Sequence, residues 1–278
     1  MLLLAAAGCG DEPVRAFADD ALRACVAAAA GLPAGTERFR DEDLAALDEL
    51  HCDGLDARTP IRSLAGIDRL PALTDLDLPR NEIRDLAPLR GLPRLSTLTL
   101  TANQVSDLSP LAGLELFDLG LSQNPVGDLS PLAGTTTLTA LGVAAARVTD
   151  VSPLAGHDAL ATLDLSGNAI TDVTPLAGLP TLDTLRLGRN AITDPSPLGT
   201  VPTLLRLDLS GNRIAAVGGL ADAPLLQELQ LGANPLLDLS PLLQVTTLVN
   251  VGLDGTDGTL LTGVADLRAA GVSVNGLA

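Results

Sequence analysis

Leucine and its aliphatic substitutes fall along this chain in one repeated phrase, with polar residues at fixed places between them. The segments LDLPRNEIRDLAPL from Leu76, LTLTANQVSDLSPL from Leu98, LGLSQNPVGDLSPL from Leu119, LDLSGNAITDVTPL from Leu163 and LRLGRNAITDPSPL from Leu185 are copies of it. An asparagine column, Asn81, Asn103, Asn124, Asn168, Asn190, Asn212 and Asn234, advances in steps of 22, 21, 44, 22, 22 and 22 residues. The double step hides a unit with Ala146 in the asparagine place, and outer units around Leu50 and Val251 bring the count to ten. A fixed period of this length means that one small supersecondary unit is stacked on copies of itself.

Within a unit, Leu163 and Leu165 alternate with Asp164, which predicts a short strand turning both leucines inward and the aspartate outward. Asn168 falls where the chain leaves the strand, a place where a side-chain amide can satisfy backbone groups that the bend leaves unpaired. Ile170 and Val173 close the far side. The run Asp-x-Ser/Thr-Pro-Leu, as in Asp172 to Leu176, predicts a hydroxyl N-cap followed by proline at the start of a short helical turn. No unit buries its own leucines, so the coils must form a parallel-stranded solenoid with capped ends. Phe17 to Val26 reads as a cap helix that stops at Gly31, followed by Asp41 to Leu47. At the far end Leu260, Leu261, Val264 and Leu267 have helical spacing ahead of Gly271-Val-Ser-Val, a C-terminal cap.

The Leu, Asn and Asp-x-Ser/Thr-Pro-Leu columns together resemble the bacterial leucine-rich repeat proteins of the 22-residue internalin class. That resemblance implies an α/β solenoid shaped as a horseshoe, with a parallel β-sheet on the concave face, short helical or 3₁₀ turns on the convex side and a helical N-terminal cap. It divides the chain into a signal remnant and tether (residues 1–13), the cap (14–46), ten repeat units (47–256) and a C-terminal cap (257–278). It also implies protein recognition through the concave face, without naming the partner. Three departures are local: Ala146 lacks the amide of its column, Ala216 and Gly219 replace the Asp and Pro of their unit, and extra residues lie near Asp56 to Thr59.

Composition narrows the chemistry. The 278 residues carry 34 Asp+Glu against 17 Lys+Arg, a formal charge of -17, and every basic residue is arginine. Schiff-base and phosphate-loop lysines are therefore absent, and so acidic a chain repels nucleic acid. With 46% hydrophobic residues but three Phe and no Tyr or Trp, the core is built from Leu, Val, Ile and Ala. His51 and His157 are the only histidines and lie in separate coils, with no zinc-type spacing around them. No nucleophile elbow or glycine-rich phosphate loop is present. The expectation is a non-enzyme with no catalytic residues, cofactor or metal. The column Asp85, Asp107, Asp128, Asp150, Asp172 and Asp194 stacks carboxylates in a way that raises calcium as a reading, but each is expected to accept backbone N–H groups at its own turn.

The opening MLLLAAAGCG ends in Ala-Ala-Gly-Cys and turns polar at once, resembling a bacterial lipoprotein signal in which Cys9 carries the lipid. Its apolar run is shorter than a complete signal. The other two cysteines, Cys25 on the cap helix and Cys52 on the first strand, meet at the cap junction. Either they bond, as an exported chain permits, or they are two small buried thiols.

In a solenoid, recognition uses the outward strand positions, because stacking makes an extended concave sheet. Here those positions form an acidic end containing Glu49, His51, Asp53, Asp75 and Asp77, a bare middle of Ala140, Gly142, Ala144 and Ala145, and a mixed patch of Asp164, Arg186, Arg189, Arg206 and Asp208. Arginine is the one residue there of the type that anchors interfaces, so the patch leads the protein-binding candidates, with Asp75 and Asp77 behind it. The alternative is an Asp-Arg-Asp ladder that neutralises itself. The sequence therefore reads as a monomeric, lipid-anchored protein-binding or adhesion module of the bacterial envelope, at the outer membrane or cell surface, whose partner is acidic at the contact. The other readings are an envelope spacer or glycan-contacting lipoprotein, then a cytosolic regulator like the leucine-rich regulatory subunit of protein phosphatase 1, and last an enzyme.

Overall fold

A computed structural model describes residues 17–55 and 59–277; Cys9 and the tether lie outside them. Ten strands follow the repeat: β1 (Glu49–His51), β2 (Asp75–Asp77), β3 (Thr97–Thr99), β4 (Asp118–Gly120), β5 (Ala140–Gly142), β6 (Thr162–Asp164), β7 (Thr184–Arg186), β8 (Arg206–Asp208), β9 (Glu228–Gln230) and β10 (Asn250–Thr256). With β11 (Ser273–Leu277), they form one parallel sheet in sequence order. The register is that of the repeat, with Leu163 beside Leu141 and Leu185, so the leucines stack into a continuous buried row. Short 3₁₀ turns such as Ser109–Leu111 and Thr174–Leu176 return the chain on the opposite side. An open parallel sheet lined by such turns is a horseshoe solenoid.

Each asparagine belongs to two coils at once. Asn190 Nδ2 donates to Leu187 O of its own coil at 3.0 Å and to Leu165 O of the preceding coil at 3.0 Å, while its Oδ1 accepts the Ile170 N–H at 3.0 Å. Buried backbone groups that strand pairing leaves over are thereby satisfied. Where Ala146 interrupts the column, backbone takes the place of the amide: Gly127 N–H of the preceding coil donates to Ala146 O at 2.9 Å, and Asp128 N–H to Val126 O at 2.7 Å.

The turn chemistry corrects one expectation. The Ser/Thr hydroxyl does not cap the 3₁₀ turn as an acceptor; Leu108 occupies the cap position, and no side chain accepts there. Ser109 is the first residue of the turn. Its N–H and hydroxyl both donate to Asp107, at 2.8 and 3.0 Å. Asp128, Asp150, Asp172, Asp194 and Asp238 accept the N–H two residues on in the same way. A carboxylate is the stronger acceptor, so the hydroxyl yields to it. These hydrogen bonds hold the carboxyls of Asp107, Asp128, Asp172, Asp194 and Asp238 below the usual carboxylate range.

Helix α1 (Asp20–Ala29) covers the β1 edge. Asp19 fixes it from both sides. One oxygen caps the helix through the Ala21 and Leu22 N–H groups, and the other accepts Arg62 N–H and Ser63 N–H of the first coil, at 2.8 and 3.1 Å. Cys25 of α1 and Cys52 after β1 are joined in a disulfide with their Cα atoms 6.0 Å apart. Phe17 packs edge-on against Phe39 at 5.3 Å below the cap, beside the short α2 (Asp41–Leu44). At the other end, the expected helix is shorter than its leucine spacing implied. It forms only as α3 (Val264–Ala269), and Leu260 lies 81% exposed in the loop before it. The C-terminal cap is β11, which adds to the sheet; on it Arg268 donates to Val274 O at 2.9 Å.

Candidate functional site: the arginine hollows of the concave face

The register sets the concave rows side by side. Arg186 lies between Asp164 and Asp208, and Arg206 lies between Thr184 and Glu228. No neutralising ladder forms. Asp164 Oδ1 accepts the Ser166 N–H at 3.0 Å, and Asp208 Oδ1 accepts both the N–H and the hydroxyl of Ser210, at 2.9 and 2.6 Å. Gly188 leaves room for this, since a Cβ there would meet Asp208 Oδ2 at 3.0 Å and Ser210 Oγ at 3.1 Å. Both aspartates are thus held at their own strand ends.

The three arginines part company. Arg206 is tied down, with Nε and Nη2 on Thr184 Oγ1 at 3.1 and 2.8 Å and a looser contact to Asp183 at 3.4 Å. Arg186 and Arg189 are exposed, and their side chains have no hydrogen bond or ion pair among the described residues. Arg189 also occupies the left-handed region at φ 57°. Gly167 and Gly211 hold the equivalent place in the neighbouring coils, at φ 68° and 66° without the strain of a side chain.

Two hollows adjoin here. One, of about 200 Å³, is bordered by Arg186, Arg206, Asp208 and Glu228; the other, of about 370 Å³, by Arg189, Asp208, Gly211 and Asp254. Asp208 and Gln230 border both. Each hollow therefore sets one free guanidinium against carboxylates. Glu228, Gln230 and Asp254 are not among the residues that the sequence singles out. The period held the signal, because Asp254 lies one repeat past Gly232 and two past Ser210.

The acidic end is a separate place. Asp75 and Asp77 lie on β2 beside Glu49 and His51 of β1, five strands from β7. His51 stands 3.7 Å from Glu49 and 3.6 Å from Asp77. Burial pushes the Asp75 carboxyl up, partly offset by His51, and burial likewise raises Asp118. Asp53 is paired with Arg80 through both oxygens. Among the described residues no group of three or more His, Cys, Asp or Glu is arranged to hold a metal ion. A further hollow of about 480 Å³ lies between α1 and the first coil, lined by Ala21, Ala24, Ala28, Ile61 and the disulfide. Among the described residues no helix is long and apolar enough to cross a membrane.

Fold, register and asparagine ladder define a leucine-rich repeat solenoid, and family models for leucine-rich repeats match residues 71–113, 158–200 and 202–221. Among solved structures, an internalin of Listeria monocytogenes (inlF) is 28% identical with a TM-score of 0.88, covering 96% of this chain and 78% of its own. Internalin C2 of the same organism is 32% identical with a TM-score of 0.64, covering 87% of this chain and 97% of its own. The functional domain of its InlJ is 28% identical with a TM-score of 0.60, covering 87% of this chain and 56% of its own. No curated protein matches the chain. The chain belongs to the bacterial internalin-like leucine-rich repeat proteins.

Proposed function

We propose that this chain is a non-enzymatic recognition module of a bacterial cell envelope, holding a protein ligand on its concave face at the hollows around Arg186 and Arg189. One observation carries the reading: two exposed guanidiniums share a concave surface with no intramolecular partner, although carboxylates stand one strand away. Arginine supplies planar, multidentate donors and is weakly hydrated, which makes an unpaired pair of them an anchor for a partner's carboxylates. Arg206 belongs to the frame of the site, since Thr184 and Asp183 hold it. Asp75 and Asp77 remain a secondary contact surface. Envelope attachment rests on Ala-Ala-Gly-Cys and on the likeness to internalins; Cys9 would carry the lipid. The test is a pull-down from envelope extract with the purified domain in wild-type and Arg186→Ala/Arg189→Ala forms. A protein retained by the first and lost by the second is the expected result; identical retention removes the reading.

One observation favours the spacer reading. Phe117 is the only exposed aromatic among the described residues, half-buried beside β4, so the face has none of the aromatic anchors that dominate tight interfaces.

A further inference from the structure

We infer that the ligand of the concave hollows is an extended polypeptide that lies across β7, β8 and β9 and presents an acidic and a basic side chain about four residues apart on one face. The inference rests on the concave-face reading and states what chemistry the partner must have. Charge is its first support. Arg186, Arg189 and Arg206 face Asp208, Glu228 and Asp254 in the two hollows, so the surface is balanced, not basic. A uniformly acidic ligand would satisfy the free guanidiniums and then press its remaining carboxylates against Glu228 and Asp254. Like charges brought together in a desolvated contact oppose binding, whereas alternating charges matched across it select the partner.

Spacing is the second support. Arg186 is on β7 and Glu228 on β9, two strands apart in the same sheet. Neighbouring strands are about 4.8 Å apart, and the register sets Glu228 two residues back from the Arg186 row, so the two positions are about 12 Å apart on the diagonal. An extended chain advances about 3.4 Å per residue and turns every second side chain to the same face, so about four residues span that distance. A peptide crossing the strands diagonally with Asp or Glu over Arg186 places the fourth residue on over Glu228, where Lys or Arg fits. Beside that path the second hollow is bordered by Ser210 and Gly211, small residues that let a backbone approach. Gln230, which borders both hollows, offers an amide donor and an acceptor to that backbone.

Third, the free arginines are retained at a cost. Arg189 keeps a left-handed backbone although its side chain makes no hydrogen bond or ion pair among the described residues. Arg80, at the matching place in another coil and also left-handed, is paired with Asp53. A strained, charged side chain without a partner in its own chain is what an external partner would complete.

The test is selection from a phage-displayed library of random twelve-residue peptides on the purified chain, followed by titration of synthetic versions of the selected sequences. The expected peptides carry Asp or Glu followed about four residues later by Lys or Arg. Arg186→Ala should weaken them about 30-fold, and Glu228→Gln should weaken them less but abolish the preference for the basic residue. Exchanging the acidic and basic residues within a peptide should cost as much as Arg186→Ala. Selected peptides that depend on Arg186 but are uniformly acidic would overturn this inference and leave the concave reading standing. Peptides indifferent to Arg186→Ala, Arg189→Ala and Glu228→Gln, or no enrichment over an unrelated protein, would overturn both. Unchanged melting curves of the three variants exclude misfolding as the cause.

Discussion

Arg80 and Arg189 occupy one structural position, the left-handed residue just before the column asparagine, at φ 56° and 57°. They behave in opposite ways. In the preceding coil, four residues after the strand begins, the first has Asp53 and the second Ser166. The carboxylate takes Arg80 through both oxygens, whereas Ser166 gives its N–H to Asp164 and leaves Arg189 free. A single substitution in a repeat thus decides whether an arginine closes the surface or opens it. The two ends of the concave face differ in the same sense. The N-terminal end is covered by α1, crosslinked by Cys25–Cys52 and internally paired, while the stretch over β7 to β10 keeps charges to spare.

This contrast can be broken from the stabilised end. Replacing Cys25 and Cys52 together with Ser should lower the unfolding free energy by about 2 to 4 kcal/mol, read in a denaturant titration. Binding at Arg186 and Arg189 should survive that loss under native conditions; a parallel loss of affinity would mean that the ends are coupled. Ser166→Asp moves the paired arrangement to the open end. It should capture Arg189, raise stability by no more than about 1 kcal/mol and weaken the selected peptides by about tenfold, measured by melting and calorimetry. A variant that binds as tightly as wild type would show that Arg189 contributes nothing to recognition.

Arg189→Gly relieves the left-handed strain and forfeits no side-chain hydrogen bond or ion pair, so it should stabilise by about 1 kcal/mol. Arg80→Gly forfeits the Asp53 pair as well and should gain less, a difference that paired melting curves can read. The smallest single effects come from the carboxyls. Those of Asp107, Asp128, Asp172, Asp194 and Asp238 are lowered by bonds to Ser or Thr. The stability they contribute is present above their unfolded values and lost as pH falls through the folded ones, below about pH 4. Asp75 and Asp118 run the other way. Raised by burial, they favour the fold when protonated and lose that contribution as pH rises, so Asp75→Asn should stabilise at neutral pH and not in acid. Melting temperature followed from pH 7 to pH 3 checks both signs.

The frame was legible because it repeats. Period and leucine alternation gave strand positions, inward faces and the asparagine contacts, since a buried polar group has few places to bond. The fate of exposed side chains was not. A self-neutralising ladder of Asp164, Arg186 and Asp208 is an open alternative in the columns, and what decides against it is Ser166 and Ser210, two positions on. On the convex side the same Asp-x-Ser spacing reveals the aspartate as an acceptor of backbone N–H but not the hydroxyl as a donor to it; on the strand, cross-strand pairing hides it. Arg206 was grouped with its neighbours because nothing in its column distinguishes a guanidinium resting on Thr184 from one in solvent.

The asparagine ladder has a direction. Asn81 seals the coil of Cys52 and Ile61, Asn103 that of Leu78 and Ile83, and so on to Asn234, which seals the coil of Leu209 and Ile214. Each coil that an asparagine reaches is thus finished by the one after it in the chain. In the last repeat the asparagine place holds Thr256, buried with its hydroxyl unpaired among the described residues, and the sequence of dependence ends there. Loss of the coil that bears Asn234 would undo the seal of the one before it. The molecule is in this respect a one-way chain of obligations, running from the bonded end toward the C-terminal strands.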